Sequence, residues 1–123
     1  MTERRPVVLV VDDDLLVLAT IAMQIRRAGF SPMEAHSGEE ALRRFRELRP
    51  DAALVDFALP GMSGLQLIAE LHRLADIPCV VLTGSDDAGS AAARAGAIGC
   101  LVKPVDTTRL GEVLRLALES RTN

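Results

Sequence analysis

The sequence predicts an α/β fold, a parallel sheet of five strands with helices on both faces. Three observations carry this prediction. Five short apolar runs alternate with segments of helical periodicity, the pattern of successive βα units. The runs are continuous in their apolar character rather than alternating, above all Val7-Val8-Leu9-Val10-Val11, as in strands buried on both faces. Four of the five end in a reactive polar residue: Asp12, Asp56, Thr83 and Lys103. Open parallel sheets place their ligands outside the carboxyl ends of the strands.

Taken in order, Val7–Val11 is the first strand, and Asp12-Asp13-Asp14 ends it. Leu15, Leu18, Ile21, Ala22 and Ile25 then recur at helical spacing, and Gly29 supplies a stop. Residues 30–35 form a second strand. Its Pro32 cannot donate to a ladder, which places it at a sheet edge. Ser37-Gly38-Glu39-Glu40 fits a capping box ahead of a stripe of Ala41, Leu42, Phe45 and Leu48. Arg49-Pro50-Asp51 breaks the chain before Ala52–Val55, the strand that delivers Asp56. Residues 63–74 read as a third helix, buried through Leu65, Leu67, Ile68 and Leu71. Pro78 precedes the strand Cys79–Leu82, which ends at Thr83. Residues 86–95 predict a poor fourth helix, rich in alanine but carrying Gly89 and no large apolar anchor. Cys100-Leu101-Val102 is the last strand, ending at Lys103-Pro104. Asp106 or Thr107 caps a final helix through Leu110, Val113, Leu114, Ala117 and Leu118.

The chain has 123 residues, enough for one domain that buries about two-thirds of its unfolded surface without a staple. Hydrophobic residues make up 49% and aromatics only 2%, so the core is aliphatic and there is no base-stacking platform. A net charge of −3 and a pI near 5.3 favour neither nucleic acid nor an anionic membrane as a direct partner. Arg43, Arg44, Arg46 and Arg49 read as a solvated helix face. Cys79 and Cys100 lie in apolar runs and read as buried thiols, not a disulfide framework or metal site. His36 and His72 have no partner at catalytic spacing and read as surface residues. No apolar stretch reaches the ~18 residues of a membrane span. Residues 1–6 do not make a signal peptide, and a cytoplasmic location is expected.

The strand ends gather Asp12, Asp13, Asp56, Thr83 and Lys103 at one end of the sheet. Three carboxylates in one cleft repel each other unless a cation lies among them. Ligation by oxygen alone, with few protein ligands, suits Mg2+. A lysine neutralises carboxylate or phosphoryl oxygens, and a threonine hydroxyl donates one hydrogen bond to such an oxygen. Nucleophile, metal, cation and hydroxyl together suit phosphoryl transfer to a carboxylate, with Asp56 as the acceptor.

With these residues in view, the chain resembles the receiver domain of two-component response regulators. The matching segments are Val-Leu-Val-Val-Asp-Asp-Asp, Leu-Val-Asp-Phe-Ala-Leu-Pro-Gly-Met-Ser-Gly, Val-Val-Leu-Thr-Gly and Ala-Gly-Ala-Ile-Gly-Cys-Leu-Val-Lys-Pro, in this order. The resemblance runs from about Val7 to Ala117. It implies a flavodoxin-like, doubly wound sheet of strand order 2-1-3-4-5 and one receiver domain over residues 1–123 with a core at about 7–118; no output domain is visible in the sequence, which is read either as a single-domain regulator or as a receiver excised from a larger protein. It makes Asp56 the phosphoacceptor for a histidine kinase or histidine phosphotransfer protein. Asp12, Asp13, Asp56 and the backbone carbonyl of Ala58 become Mg2+ ligands, and Thr83 and Lys103 bind the phosphoryl oxygens. A cis Lys103-Pro104 bond is expected. The resemblance implies a switch that assists its own phosphorylation and dephosphorylation rather than an enzyme. The switch is expected to act on an unknown downstream protein as a monomer or weak dimer.

Two departures from the family pattern stand out. Cys100 occupies the position, three residues before the lysine, where the family usually carries Tyr or Phe that swings inward with the threonine. A thiol lacks the reach and area of a ring, so the Thr83–Cys100 pair implies a different readout. The weak helix at 86–95 is expected to be mobile and to be ordered or shifted by phosphorylation instead. An aspartate-nucleophile phosphatase of the haloacid dehalogenase kind is the rival enzyme reading. It expects Asp-x-Asp near the start, where this chain has Asp56-Phe57-Ala58 in mid-sequence. An interaction module that keeps the fold without phosphorylation is the rival binding reading.

Overall fold

A computed structural model describes residues 4–85 and 89–120. The elements alternate without exception: β1 (Val7–Val11), α1 (Leu15–Arg27), β2 (Ser31–Ala35), α2 (Gly38–Glu47), β3 (Ala52–Asp56), α3 (Gly64–Leu74), β4 (Cys79–Thr83), α4 (Gly89–Arg94), β5 (Gly99–Val102) and α5 (Thr107–Ser120). All strand pairs are parallel and the order is β2-β1-β3-β4-β5, the flavodoxin-like arrangement that the resemblance implies.

The strands alternate side chains between two aliphatic layers. Val8, Val10, Leu54, Val80 and Leu82 face α1 and α5, where they meet Leu18, Ile21, Ile25, Leu110 and Leu114. Leu9, Val11, Ala53, Val55 and Val81 face the other way, onto Ala41, Phe45, Leu67, Ile68 and Leu71 of α2 and α3. All five residues of β3 and of β4 are buried, which explains their unbroken apolar runs. Pro32 sits in the edge strand β2 as expected. Ser31 N–H donates to the Pro6 carbonyl and the Ala35 carbonyl accepts from Asp12, so the odd residues of β2 face β1. Pro32 therefore turns its missing donor to the open edge, where no ladder bond is lost.

Local chemistry sets the helix boundaries. The Asp14 carboxylate accepts from the N–H groups of Leu16 and Val17 and caps α1. Gly29, at φ +100°, turns the chain out of that helix. Ser37 caps α2 through Glu40 N–H, but Glu40 reaches past it to His36 N–H at 2.7 Å, so the expected capping box is not closed. The reciprocal box forms instead at α3, between Ser63 and Gln66. Asp106, rather than Thr107, caps α5 by accepting from Arg109 N–H.

Several expectations need correction. Leu15 is 67% exposed, because it stands at the first position of α1, beyond the sheet end. Leu48 is 49% exposed, because it is the extended residue that ends α2. Leu65 is only partly buried at the margin of the core. Among the described residues the fourth helix runs over Gly89–Arg94, ending one residue before the expected Ala95, with Ala92 its one buried residue. The remainder of the predicted start, residues 86–88, lies outside the described residues. Cys100 is half-buried rather than buried. His72 is also half-buried: its Nε2 lies 3.1 Å from the Ile77 carbonyl oxygen, and its ring lies against Gly96. Arg43, Arg44, Arg46 and Arg49 are exposed, as the sequence implies.

Candidate functional site

Strand register assembles the site. Val11 pairs with Val55, which sets Asp12 beside Asp56 at the ends of the two central strands. Asp56 pairs with Leu82, so Thr83 lies one residue further along β4. Thr83 pairs with Val102, so Lys103 follows directly beyond β5. The Lys103 N–H donates to the Thr83 carbonyl at 2.7 Å, and the Lys103-Pro104 bond is cis.

Lys103 bridges the two buried acids. Its Nζ lies 2.6 Å from Asp12 Oδ2 and 3.4 Å from Asp56 Oδ1. Asp12 Oδ1 also accepts from Asp14 N–H, and Asp56 Oδ1 from Ala58 N–H at 3.3 Å. Asp12 and Asp56 are buried, whereas Asp13 is exposed at the mouth. One carboxylate oxygen from each of Asp12, Asp13 and Asp56 lies within 4.8 Å of the other two. Of the chain's 14 basic residues, Lys103 is the sole lysine. The fold delivers it to this acidic end.

The electrostatics follow from that crowding. Desolvation raises the Asp56 carboxyl above the ordinary carboxylate range, and the Asp12 charge adds to the rise. The Lys103 charge and the Ala58 N–H offset part of it. Desolvation pulls the Lys103 ammonium down, but its bond to Asp12 and the charges of Asp56 and Asp12 outweigh this, and its pKa is raised overall. Lys103 is thus held as a cation beside an aspartate that is costly to ionise. The Cys79 thiol, remote in the core, is pushed up to about 12 by burial and is inert.

Thr83 reaches the same sheet end, but its hydroxyl is engaged in the following loop. It donates to the Ser85 carbonyl and accepts from Ser85 N–H, both at 3.1 Å. Ala58 is exposed on the turn after Asp56, next to the acid pocket. Cys100 lies opposite Val81 in the sheet, at the edge of the α3-side core and three residues from Lys103. It lines a cleft with Ile98, Val113 and Leu116 between β5 and α5, away from the carboxylates.

Sequence reasoning missed Gly64. A Cβ there would fall on the Asp56 carbonyl oxygen and within 3.1 Å of Phe57 Cα. Only a bare Cα lets the start of α3 seat against the end of β3, which fixes the backbone that carries Asp56. The available signal was a glycine at the first helical position directly after the capping Ser63, where helix propensity disfavours it.

Comparison with known proteins agrees with this architecture. The family model described as the response regulator receiver domain matches residues 8–115. The transcriptional regulatory protein PrrA of Mycobacterium leprae is 39% identical over 119 residues, covering 94% of this chain and 51% of that protein. The positive alginate biosynthesis regulatory protein of Pseudomonas aeruginosa is 38% identical over 120 residues, covering 94% and 48%. The chain thus spans about half the length of these curated relatives. Among solved structures, a putative response regulator of Chloroflexus aurantiacus superposes with a TM-score of 0.88 at 33% identity, covering 94% of this chain and 99% of that one. The chemotaxis protein CheY4 of Vibrio cholerae gives 0.86 at 27% identity, covering 93% and 99%. With sheet order, acid pocket and family match in agreement, the chain belongs to the receiver domains of two-component response regulators.

Proposed function

We propose that this receiver domain is a phosphoacceptor switch in which Asp56 takes a phosphoryl group from a histidine kinase or histidine phosphotransfer protein. The observation that supports it most is the placement of Asp56 at a strand end, against Asp12 and the only lysine. An Asp56 carboxylate oxygen attacks phosphorus, the donor's P–N bond breaks, and the imidazole nitrogen leaves with its electron pair and takes up a proton. Lys103 pairs with the phosphoryl oxygens, and Thr83 donates to another once its hydroxyl leaves Ser85. The exposed Leu15 and Leu16, at 67% and 78%, give the pocket an apolar rim on which a donor protein can settle. Cys100 stands where a readout group is expected, and the short α4 beside it is the element that responds.

The pocket's donor set fits a hard divalent cation: three carboxylates close together, with no nitrogen or sulfur donor among them. Asp12, Asp13, Asp56 and the Ala58 carbonyl would hold Mg2+, which when bound screens the carboxylates from each other and from the incoming phosphoryl oxygens. Among the described residues no helix is long and apolar enough to cross a membrane, in keeping with a switch that works in the cytoplasm.

Mass spectrometry after incubation with Mg2+ and a small phosphodonor tests the proposal. Wild type gains one phosphoryl group, Asp56→Asn gains none, and excess chelator slows the gain sharply. Wild type that gains nothing would favour an interaction module that keeps the fold without the chemistry. Full-rate phosphorylation in chelator would remove the metal from the scheme.

A further inference from the structure

The cation of the site is supported from a helix that contributes nothing to it directly. Gln24 lies on the flank of α1, half-buried, one residue before the core residue Ile25. Its Nε2 donates to the Val105 carbonyl at 2.6 Å and to the Thr107 hydroxyl oxygen at 3.1 Å. A carbonyl can only accept, so the amide nitrogen is the atom that must face the loop. The two bonds cross 81 and 83 residues of sequence and clasp the segment directly after Lys103-Pro104. Beside these bonds, the Val105 side chain packs on the margin of the core under α1 and α5. Residues 103–106 are neither strand nor helix, Pro104 has no N–H to give, and Pro104 and Asp106 are exposed. Downstream, Asp106 and Thr107 open α5, which packs beside α1. Upstream, the Lys103 N–H is held by Thr83. The lysine backbone is therefore fixed on one side by the sheet and on the other by the Gln24 hydrogen bonds together with the packing of Val105.

We infer that Gln24 is a positioning residue for Lys103: it anchors the Val105–Thr107 segment so that the ammonium bridges Asp12 and Asp56. This rests on the phosphoacceptor reading for its functional consequence, but not for its structural content. It also gives α1 a connection to the phosphoryl-binding cation. The same helix exposes Leu15, Leu16 and Met23, so a protein seated there presses on the element that anchors Lys103.

The single lysine makes the test specific. Protein grown with lysine labelled with 13C at Cε alone shows one lysine side-chain carbon resonance, that of Lys103, whose shift and width report how firmly the ammonium is held. Gln24→Met keeps the length and removes both hydrogen bonds. Gln24→Glu keeps the length and polarity but opposes the Val105 carbonyl with a carboxylate, and it serves if the first variant does not fold. In either variant the lysine resonance moves toward its unfolded position and narrows. Phosphorylation by the small phosphodonor falls about tenfold, the lower end of what supporting partners contribute at such sites. A moved lysine resonance with an unchanged rate supports the positioning role and counts instead against the use of Lys103 in phosphoryl transfer. An unmoved resonance in a folded variant overturns the inference, whatever the rate does.

Discussion

Asp56 is held where ionisation is unfavourable, and that gives it a measurable signature. Its carboxyl lies above the ordinary range because of desolvation and the Asp12 charge, so the native state binds its proton more tightly than the unfolded chain does. The sign follows from linkage: this group favours the native state below the ordinary carboxylate range and costs stability as pH rises through its folded pKa. Without Mg2+ at neutral pH, Asp56→Asn should raise the melting temperature, each ~1 kcal/mol gained being worth roughly 3–5 °C at this length. The advantage should shrink as the pH is lowered and wild-type Asp56 takes up its proton. Saturating Mg2+ should also shrink it, because wild type gains stability by binding and the variant lacks one ligand. A melting temperature below wild type in the metal-free protein would mean that the carboxylate is not strained. Lys103 carries the same sign in a different pH window. Its raised pKa supports the fold throughout the neutral range, and that support is lost only in strong alkali.

At the scale of elements, the turn into α3 and the short α4 are opposite cases. The turn into α3 is rigid because Gly64 lets the helix start touch the Asp56 carbonyl. Gly64→Ala should cost about 1–3 kcal/mol of stability, the usual range for forcing a methyl into a packed site. It should also slow phosphorylation, since the displaced backbone is that of Asp56. Circular dichroism melts and the phosphodonor assay check the two effects, and an unaffected melt would show that the turn yields freely. By contrast, α4 buries only Ala92 across six residues. Its amides should exchange with solvent far faster than those of β4, whose five residues are all buried, and should slow on phosphorylation. Strong protection of α4 in the unphosphorylated protein would refute that. The weakness of α4 was legible in its sequence, because alanines and Gly89 offer nothing to pack. The ends of α1 and α2 were not: Leu15 and Leu48 satisfy the helical period, but helix geometry places one past the sheet and the other after the last turn. Periodicity shows which residues share a face and is silent on where the underlying sheet stops. The acid pocket was legible because each member ends an apolar run, so register alone brings Asp12, Asp56, Thr83 and Lys103 together. Gln24 was not, because its partners Val105 and Thr107 lie 81 and 83 residues away, a pairing that no local pattern encodes.

For the molecule as a whole, the sheet is a shared wall between two aliphatic cores, one under α1 and α5 and one under α2 and α3. Both cores are built from the same central strands, so a change at the ends of β1 and β3 bears on both faces at once. A remaining consequence lies at the sheet's margins. An open sheet always has two strands with unpaired backbone, and these can template the growth of fibrils from neighbouring molecules. Here one margin is β2, whose Pro32 turns a donorless nitrogen outward. The other is β5, four residues long and running directly into Lys103-Pro104. Neither offers an incoming strand a regular run of donors and acceptors. A signalling protein that must meet partners through its surfaces is thereby left with side-chain faces, not strand edges, as its means of association.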